Sequence, residues 1–284
     1  MIVAAGAAAP PAGTNETAGA RRIAAAFAAA RDDGRAALIP YVVAGYPDAD
    51  TSFQVALAAV DAGADLLEIG LPYSDPLADG ATLQRASGAA LANGATLDGS
   101  LSLIERIAAA RPAIPIVPMG YANQFIGGGD GSEAARRLSA AGAAGVIVAD
   151  LTPDEGAPFE AVAREADLAV VYLVAPTTPP ARRLEIARRS GGFLYCVSLV
   201  GVTGARTSLP STVGRLVREV SAASPVPVGV GFGVSRPAHV RALARAGADG
   251  VIVASALVDS LGTDGLNVER MAALVRDLKA ATRR

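Results

Sequence analysis

The chain has 284 residues, 51% of them hydrophobic, and a formal net charge of -2. That balance lacks the basic face a sequence-independent nucleic-acid binder needs, and no run approaches the roughly 20 apolar residues of a membrane span. One cysteine (Cys196), one histidine (His239) and one lysine (Lys279) exclude an internal disulfide and a Cys/His metal cluster, and suit a reducing cytoplasm.

Residues 1–18 open with an apolar, Ala- and Pro-rich stretch that no basic residue precedes, so it does not read as a signal peptide. It is expected to be a flexible tail, with one domain over residues 19–284. From residue 21 onward, short apolar or β-branched runs alternate with longer Ala-rich segments of helical period. Strands are predicted to begin near Ala37, Asp65, Ile114, Ala144, Ala169, Phe193, Val226 and Gly250. They lack strict polar alternation, as parallel strands covered on both faces do. Between them, residues 51–62 read as a helix with Thr51 as its N-cap after Asp48 and Asp50, and Gly63 and Gly247 suit left-handed helix ends. The run Pro176–Pro180 predicts a rigid loop and a helix start. Pro237, two residues after Ser235, predicts another start with proline in the first turn.

Eight strand–helix units in a chain of this length predict a closed (β/α)8 TIM barrel with extra helices; an open doubly wound sheet is the alternative. Successive strand starts lie 24 to 33 residues apart, except for 49 between the second and third. In such a barrel the loops after the strands carry the catalytic groups, so this insertion points at the site.

Glu68 stands in the otherwise apolar second strand, near its C-terminal end. A carboxylate facing a barrel interior loses hydration, its pKa rises, and it becomes an acid or base near neutrality. Asp79 follows in a loop stiffened by Pro72 and Pro76, and two carboxylates in unlike settings can divide acid and base roles. The same residues also suit a structural Glu–Arg pair and a turn cap, and residue type alone does not separate the readings. Late in the chain, glycines cluster after the sixth strand (Gly201, Gly204) and the seventh (Gly229, Gly231, Gly233), and Ala254–Ser255 follow the eighth. Such loops let backbone N–H groups approach a phosphate. A dinucleotide fingerprint fails, because position 234 is Val. His239 reads as a surface residue of its helix, and Cys196 as a core or barrel-lining residue. Tyr195 faces opposite to Cys196 along the strand. The Arg pairs at 136–137, 182–183 and 188–189 read as solvated helix faces.

The segment LEIGLPYSDPLADG, followed in order by ADLTPDE, VAPTTP, SLVGVTGART, GVGFGVS and VIVASALV, resembles the tryptophan synthase alpha-chain family over about residues 21–280. The resemblance implies a TIM barrel that cleaves indole-3-glycerol phosphate to indole and glyceraldehyde 3-phosphate by a retro-aldol reaction, within tryptophan biosynthesis. It implies proton transfer by Glu68 at the glycerol hydroxyl and indole C3, and a hydrogen bond from the indole N–H to Asp79. It further implies an indole pocket walled by Tyr41, Tyr195 and Phe232, phosphate binding at Gly204, Gly233, Ala254 and Ser255, and Thr203 in a closing loop. No metal or cofactor is implied in this chain. The pyridoxal phosphate belongs to a beta chain met at Pro72–Asp75, in an α2β2 heterotetramer of the cytoplasm.

Four residues depart from the family pattern. Val43 stands for Thr, Ala81 for Pro, Gly120 for a bulkier residue and Ala254 for Gly. They leave open a stand-alone or secondary-metabolism lyase, or a non-catalytic activator of a beta chain. A lysine Schiff base or a histidine-held metal would be the common routes to aldol cleavage. The only lysine is predicted in the last helix, away from the strand ends, and the only histidine stands alone, so carboxylate acid–base chemistry is the expectation.

Overall fold

The computed structural model describes residues 16–197, 211–231 and 233–284. In chain order, the first half comprises α1 (Ala18–Asp32), β1 (Ala37–Val43), α2 (Ala49–Asp61), β2 (Leu67–Gly70), α3 (Ala81–Ala92), α4 (Leu97–Ala110), β3 (Ile116–Gly120), α5 (Ala122–Ile126), α6 (Ser132–Ala140) and β4 (Gly145–Val148). The second half comprises α7 (Pro153–Glu165), β5 (Ala169–Val171), β6 (Leu173–Val174), α8 (Pro180–Arg189), β7 (Leu194–Val197), α9 (Ser211–Ala223), β8 (Val228–Gly231), α10 (Pro237–Arg245), β9 (Gly250–Val253), α11 (Ser255–Ser260) and α12 (Val268–Ala280). Among the described residues no helix is long and apolar enough to cross a membrane.

Every pairing between neighbouring strands is parallel, in the order β5-β4-β3-β2-β1-β9-β8-β7-β6. The two end strands are halves of the expected fifth strand. The Tyr172 N–H between them donates to Ser190 Oγ at 3.0 Å, away from the ladder. Its carbonyl accepts from the Tyr195 N–H at 2.9 Å, so the ladder continues into β7 and the barrel closes. The long second interval holds two helices, α3 and α4.

Strand residues of one parity (Leu38, Leu67, Ile69, Ile116, Val146, Leu194, Cys196, Val228, Val251) pack outward against the helices. Those of the other parity (Ile39, Val117, Ile147, Val171, Tyr195, Ile252) fill the interior. The bottom of the interior is plugged by α1, whose Ile23 and Phe27 are buried among them, with Phe27 5.4 Å from Phe193 between ring centroids. The plug is tied at its first turn. Thr17 Oγ1 caps Ala20, and Asp167, in the left-handed region at φ 58°, accepts from the N–H groups of Ala18 and Gly19. Thr17 and Ala18 therefore belong to the folded unit, two residues earlier than the tail boundary expected at 18.

Other local expectations are also corrected. Asp48, not Thr51, caps α2, and its carboxylate accepts from the Thr51 N–H at 2.8 Å. An aspartate one turn earlier reaches the same orphan donors, so composition alone does not set the boundary. Of the arginine pairs, Arg183 is largely covered and holds the carbonyls of Thr178 and Pro176. Arg189 pairs at 2.8 Å with Glu160, which is buried and also accepts from the Tyr172 hydroxyl at 2.6 Å. His239 is 2% exposed, not a surface residue, because it lies on the face of α10 that carries Val240 and Leu243.

Candidate active site

A cavity of about 190 Å³ opens at the C-terminal ends of the strands. Glu68 and Tyr41, paired in register across β2 and β1, form its floor with Met119, Tyr195 and Ile252. Two glycines make room for the tyrosines. A Cβ on Gly70 would lie 1.8 Å from Tyr41 Oη, and one on Gly231 would lie 2.4 Å from Tyr195 Oη. The strand glycines therefore admit large rings where another residue would fill the space.

Glu68 is 1% exposed, and neither carboxylate oxygen has a hydrogen-bond partner among the described residues. Burial first, then the nearby Asp79 charge, lifts its pKa to about 8. Asp79 sits at the end of the loop after β2, just before α3, in the same cavity. Burial raises it to about 6, and a hydrogen bond from Tyr121 works in the opposite direction. At neutral pH Glu68 therefore holds a proton while Asp79 is ionised. Tyr41 and Tyr195 are buried, and desolvation with the two carboxylates holds their hydroxyls protonated, well above the usual range.

Tyr121, which the sequence reading did not select, organises this corner. Its hydroxyl accepts from the Ala78 N–H at 3.0 Å and bonds to the Asp79 carboxylate, and its ring stacks on Tyr73 at 5.2 Å. The loop is pinned further by Gln124, whose amide donates to the Pro72 carbonyl at 3.1 Å, and by Asn123, which donates to the Tyr73 hydroxyl at 3.2 Å. The only signal in the sequence was a tyrosine directly after the third strand, on the catalytic face.

The other end of the cavity is backbone. Gly233 (φ 74°), Val234 and Ser235 follow β8, and Ala254, Ser255 and Ala256 lead into α11, whose first N–H groups have no acceptor within the helix. Ala254 has φ -120°, so its methyl group imposes no left-handed strain where a glycine was expected. The two ends are bridged where Thr82 Oγ1 at the start of α3 donates to Asp259 on α11 at 3.2 Å.

The structure thus brings Glu68, Asp79, Tyr41, Tyr195, Gly233, Ala254 and Ser255 to one cavity. Thr203, Gly204 and Phe232 lie outside the described residues. Of the departures, Val43 is buried with Tyr41, Leu83 and Val258 beside the site. Ala81 opens α3, and Gly120 is demanded by its surroundings, since a Cβ there would meet Gln124 Oε1 at 2.7 Å and the Phe125 ring at 2.9 Å. Cys196 is in the outer core, its thiol pushed up to about 12 by burial. Lys279 lies at the opposite end of the barrel, bonded at 2.6 Å to Asp65 below the start of β2.

The family model for the tryptophan synthase alpha chain matches residues 27–283. The tryptophan synthase alpha chain of Roseiflexus castenholzii is 47% identical over 260 residues, 91% of this chain and 99% of that protein. A solved structure of Mycobacterium tuberculosis tryptophan synthase superposes with a TM-score of 0.84 at 42% identity, covering 93% of this chain and 98% of that one. The mutant tryptophan synthase alpha-subunit (D110A) of Pyrococcus furiosus gives 0.80 at 36% identity, over 87% and 99%. With the barrel, the paired carboxylates and this similarity over nearly its whole length, the chain belongs to the tryptophan synthase alpha-chain family.

Proposed function

We propose that Glu68 and Asp79 carry out the retro-aldol cleavage of indole-3-glycerol phosphate to indole and glyceraldehyde 3-phosphate, the lyase reaction of the family. The carrying observation is that one cavity holds two carboxylates of unlike acidity, Glu68 near 8 and Asp79 near 6. Protonated Glu68 delivers its proton to indole C3 while ionised Asp79 takes up the N–H, giving the indolenine tautomer. The glycerol hydroxyl proton then returns to Glu68 as the carbon–carbon bond breaks. The bond pair flows into the ring, and Asp79 hands the nitrogen its proton back. Each carboxylate ends as it began, and the ring is the electron sink, so this chain's step calls for no cofactor.

Tyr41, Tyr195 and Phe232 wall the indole pocket in this reading. Gly204, Gly233, Ala254 and Ser255 hold the phosphate through backbone N–H groups, and Thr203 belongs to the loop that closes over substrate. The glycine-rich turn at 233 and the start of α11 on one side of the cavity support the phosphate assignment. The beta chain, which carries pyridoxal phosphate, docks on the loop after β2 at Pro72–Asp75 to form an α2β2 complex in the cytoplasm. Leu77 on that loop is 92% exposed beside the active site, an apolar side chain that such docking would cover. Indole release by the purified chain, with and without a beta chain, tests the assignment. Slow release alone and faster release in complex is the expected result. No indole under either condition contradicts it.

A further inference from the structure

The buried His239 has no part in the chemistry above. It occupies the third position of α10, whose first residue is Pro237 and whose cap is Arg236. From there its Nδ1 accepts a hydrogen bond, at 3.3 Å, from the backbone N–H of Ser235. An acceptor Nδ1 places the ring's hydrogen on Nε2, and among the described residues Nε2 is buried without a partner. Packing alone does not call for an imidazole, since a leucine or phenylalanine fills the space without desolvating two ring nitrogens. What the imidazole supplies is the bond to Ser235. Glutamine or glutamate at the third helical position makes a similar reach back towards a cap. Here the reach extends one residue further, into Gly233–Ser235, the segment that lines the anion end of the cavity.

We propose that His239 is a positioning residue for phosphate binding: by holding the Ser235 N–H it fixes the turn from Gly233 into α10, so that the turn meets the anion without reorganising. This rests on the reading that the substrate phosphate sits at the Gly233 and Ser255 end. His239 touches no reacting atom, so its effect falls on binding of the phosphorylated group and not on the carbon–carbon cleavage.

The test compares the full chain, with a beta chain present, on indole-3-glycerol phosphate and on its dephosphorylated counterpart. His239→Phe keeps a ring and deletes the acceptor. It should raise KM for the phosphorylated substrate, and the inhibition constant of inorganic phosphate, by about three- to tenfold. Turnover at saturation and the slow cleavage of the dephosphorylated substrate should stay at wild-type levels, and His239→Gln, which retains an acceptor, should recover the KM. Equal losses on both substrates, or an unchanged KM in His239→Phe, would overturn the proposal. Ser255→Asp serves as the control: if a carboxylate there leaves KM unchanged, the phosphate placement itself fails and His239 falls with it. If KM rises in Ser255→Asp but not in His239→Phe, the inference about His239 alone is wrong. Should the phenylalanine variant not fold, the wild-type imidazole answers instead. It is the single histidine of the chain, so its 15N resonances need no assignment. The Nε2–H tautomer and a shift of Nδ1 on adding inorganic phosphate are expected; the opposite tautomer, or no shift at saturating phosphate, contradicts the proposal.

Discussion

Glu68 and Asp79 share one cavity, and burial acts on both, yet among the described residues only Asp79 has a hydrogen-bond donor to temper it. The mechanism needs Glu68 protonated and Asp79 ionised. Activity is therefore lost as pH falls through about 6, where Asp79 takes up a proton, and as pH rises through about 8, where Glu68 gives one up. A bell-shaped kcat/KM profile with those limbs is the expected outcome. Removing the Tyr121 hydroxyl removes the donor that lowers Asp79, so Tyr121→Phe should move the acid limb to higher pH and leave the basic limb in place. The same burial has a stability signature. Glu68 binds its proton more tightly folded than unfolded, so the folded state is favoured at low pH and this preference is lost as pH rises from about 4.5 to 8. Glu68→Gln should then stabilise the fold at pH 8 relative to pH 5 by ~2–4 kcal/mol, read from denaturant unfolding at both pH values. Glu68 and Asp79 were legible in the sequence because a carboxylate in an apolar strand and another in a proline-stiffened loop stand out by type. Tyr121 was not, since a tyrosine after a strand looks the same whether it packs or bonds. The burial of His239 escaped the sequence reading because its helix placement gave no rotational phase against the barrel.

At the level of elements, the strand glycines set the site's shape. Gly70→Ala forces a methyl group into the Tyr41 hydroxyl; it should cost about 1–3 kcal/mol of stability and raise KM as the ring is displaced. Outside the barrel, Glu160 of α7 is held by Tyr172 between β5 and β6 and by Arg189 of α8. Arg189→Ala removes a charged partner from that buried carboxylate. A loss of ~3 kcal/mol is expected, seen as a Tm lower by roughly 5–10 °C with kcat unchanged, because the network lies outside the cavity. The strands were readable as apolar runs, and the insertion after the second strand was readable from spacing alone. The break at Tyr172 and the cap at Asp48 were not, because each depends on which nearby group takes one backbone N–H.

For the whole molecule, the closed ladder and the α1 plug leave the C-terminal face as the open end, and that face also carries the exposed Leu77 loop. The single lysine is committed to Asp65 at the far end, which agrees with its expected distance from the strand ends. Barrel architecture was legible because eight runs recur at nearly constant spacing. Which groups meet across the cavity was not, because the joining of Asp79 to Tyr121 and of Thr82 to Asp259 crosses between loops far apart in sequence. The proposed mechanism stands on proton transfer by Glu68, and the decisive measurement is indole release from indole-3-glycerol phosphate by Glu68→Gln in complex with a beta chain. A loss of at least about 10²-fold relative to wild type, with the fold intact, is expected. Turnover within about tenfold of wild type would contradict it.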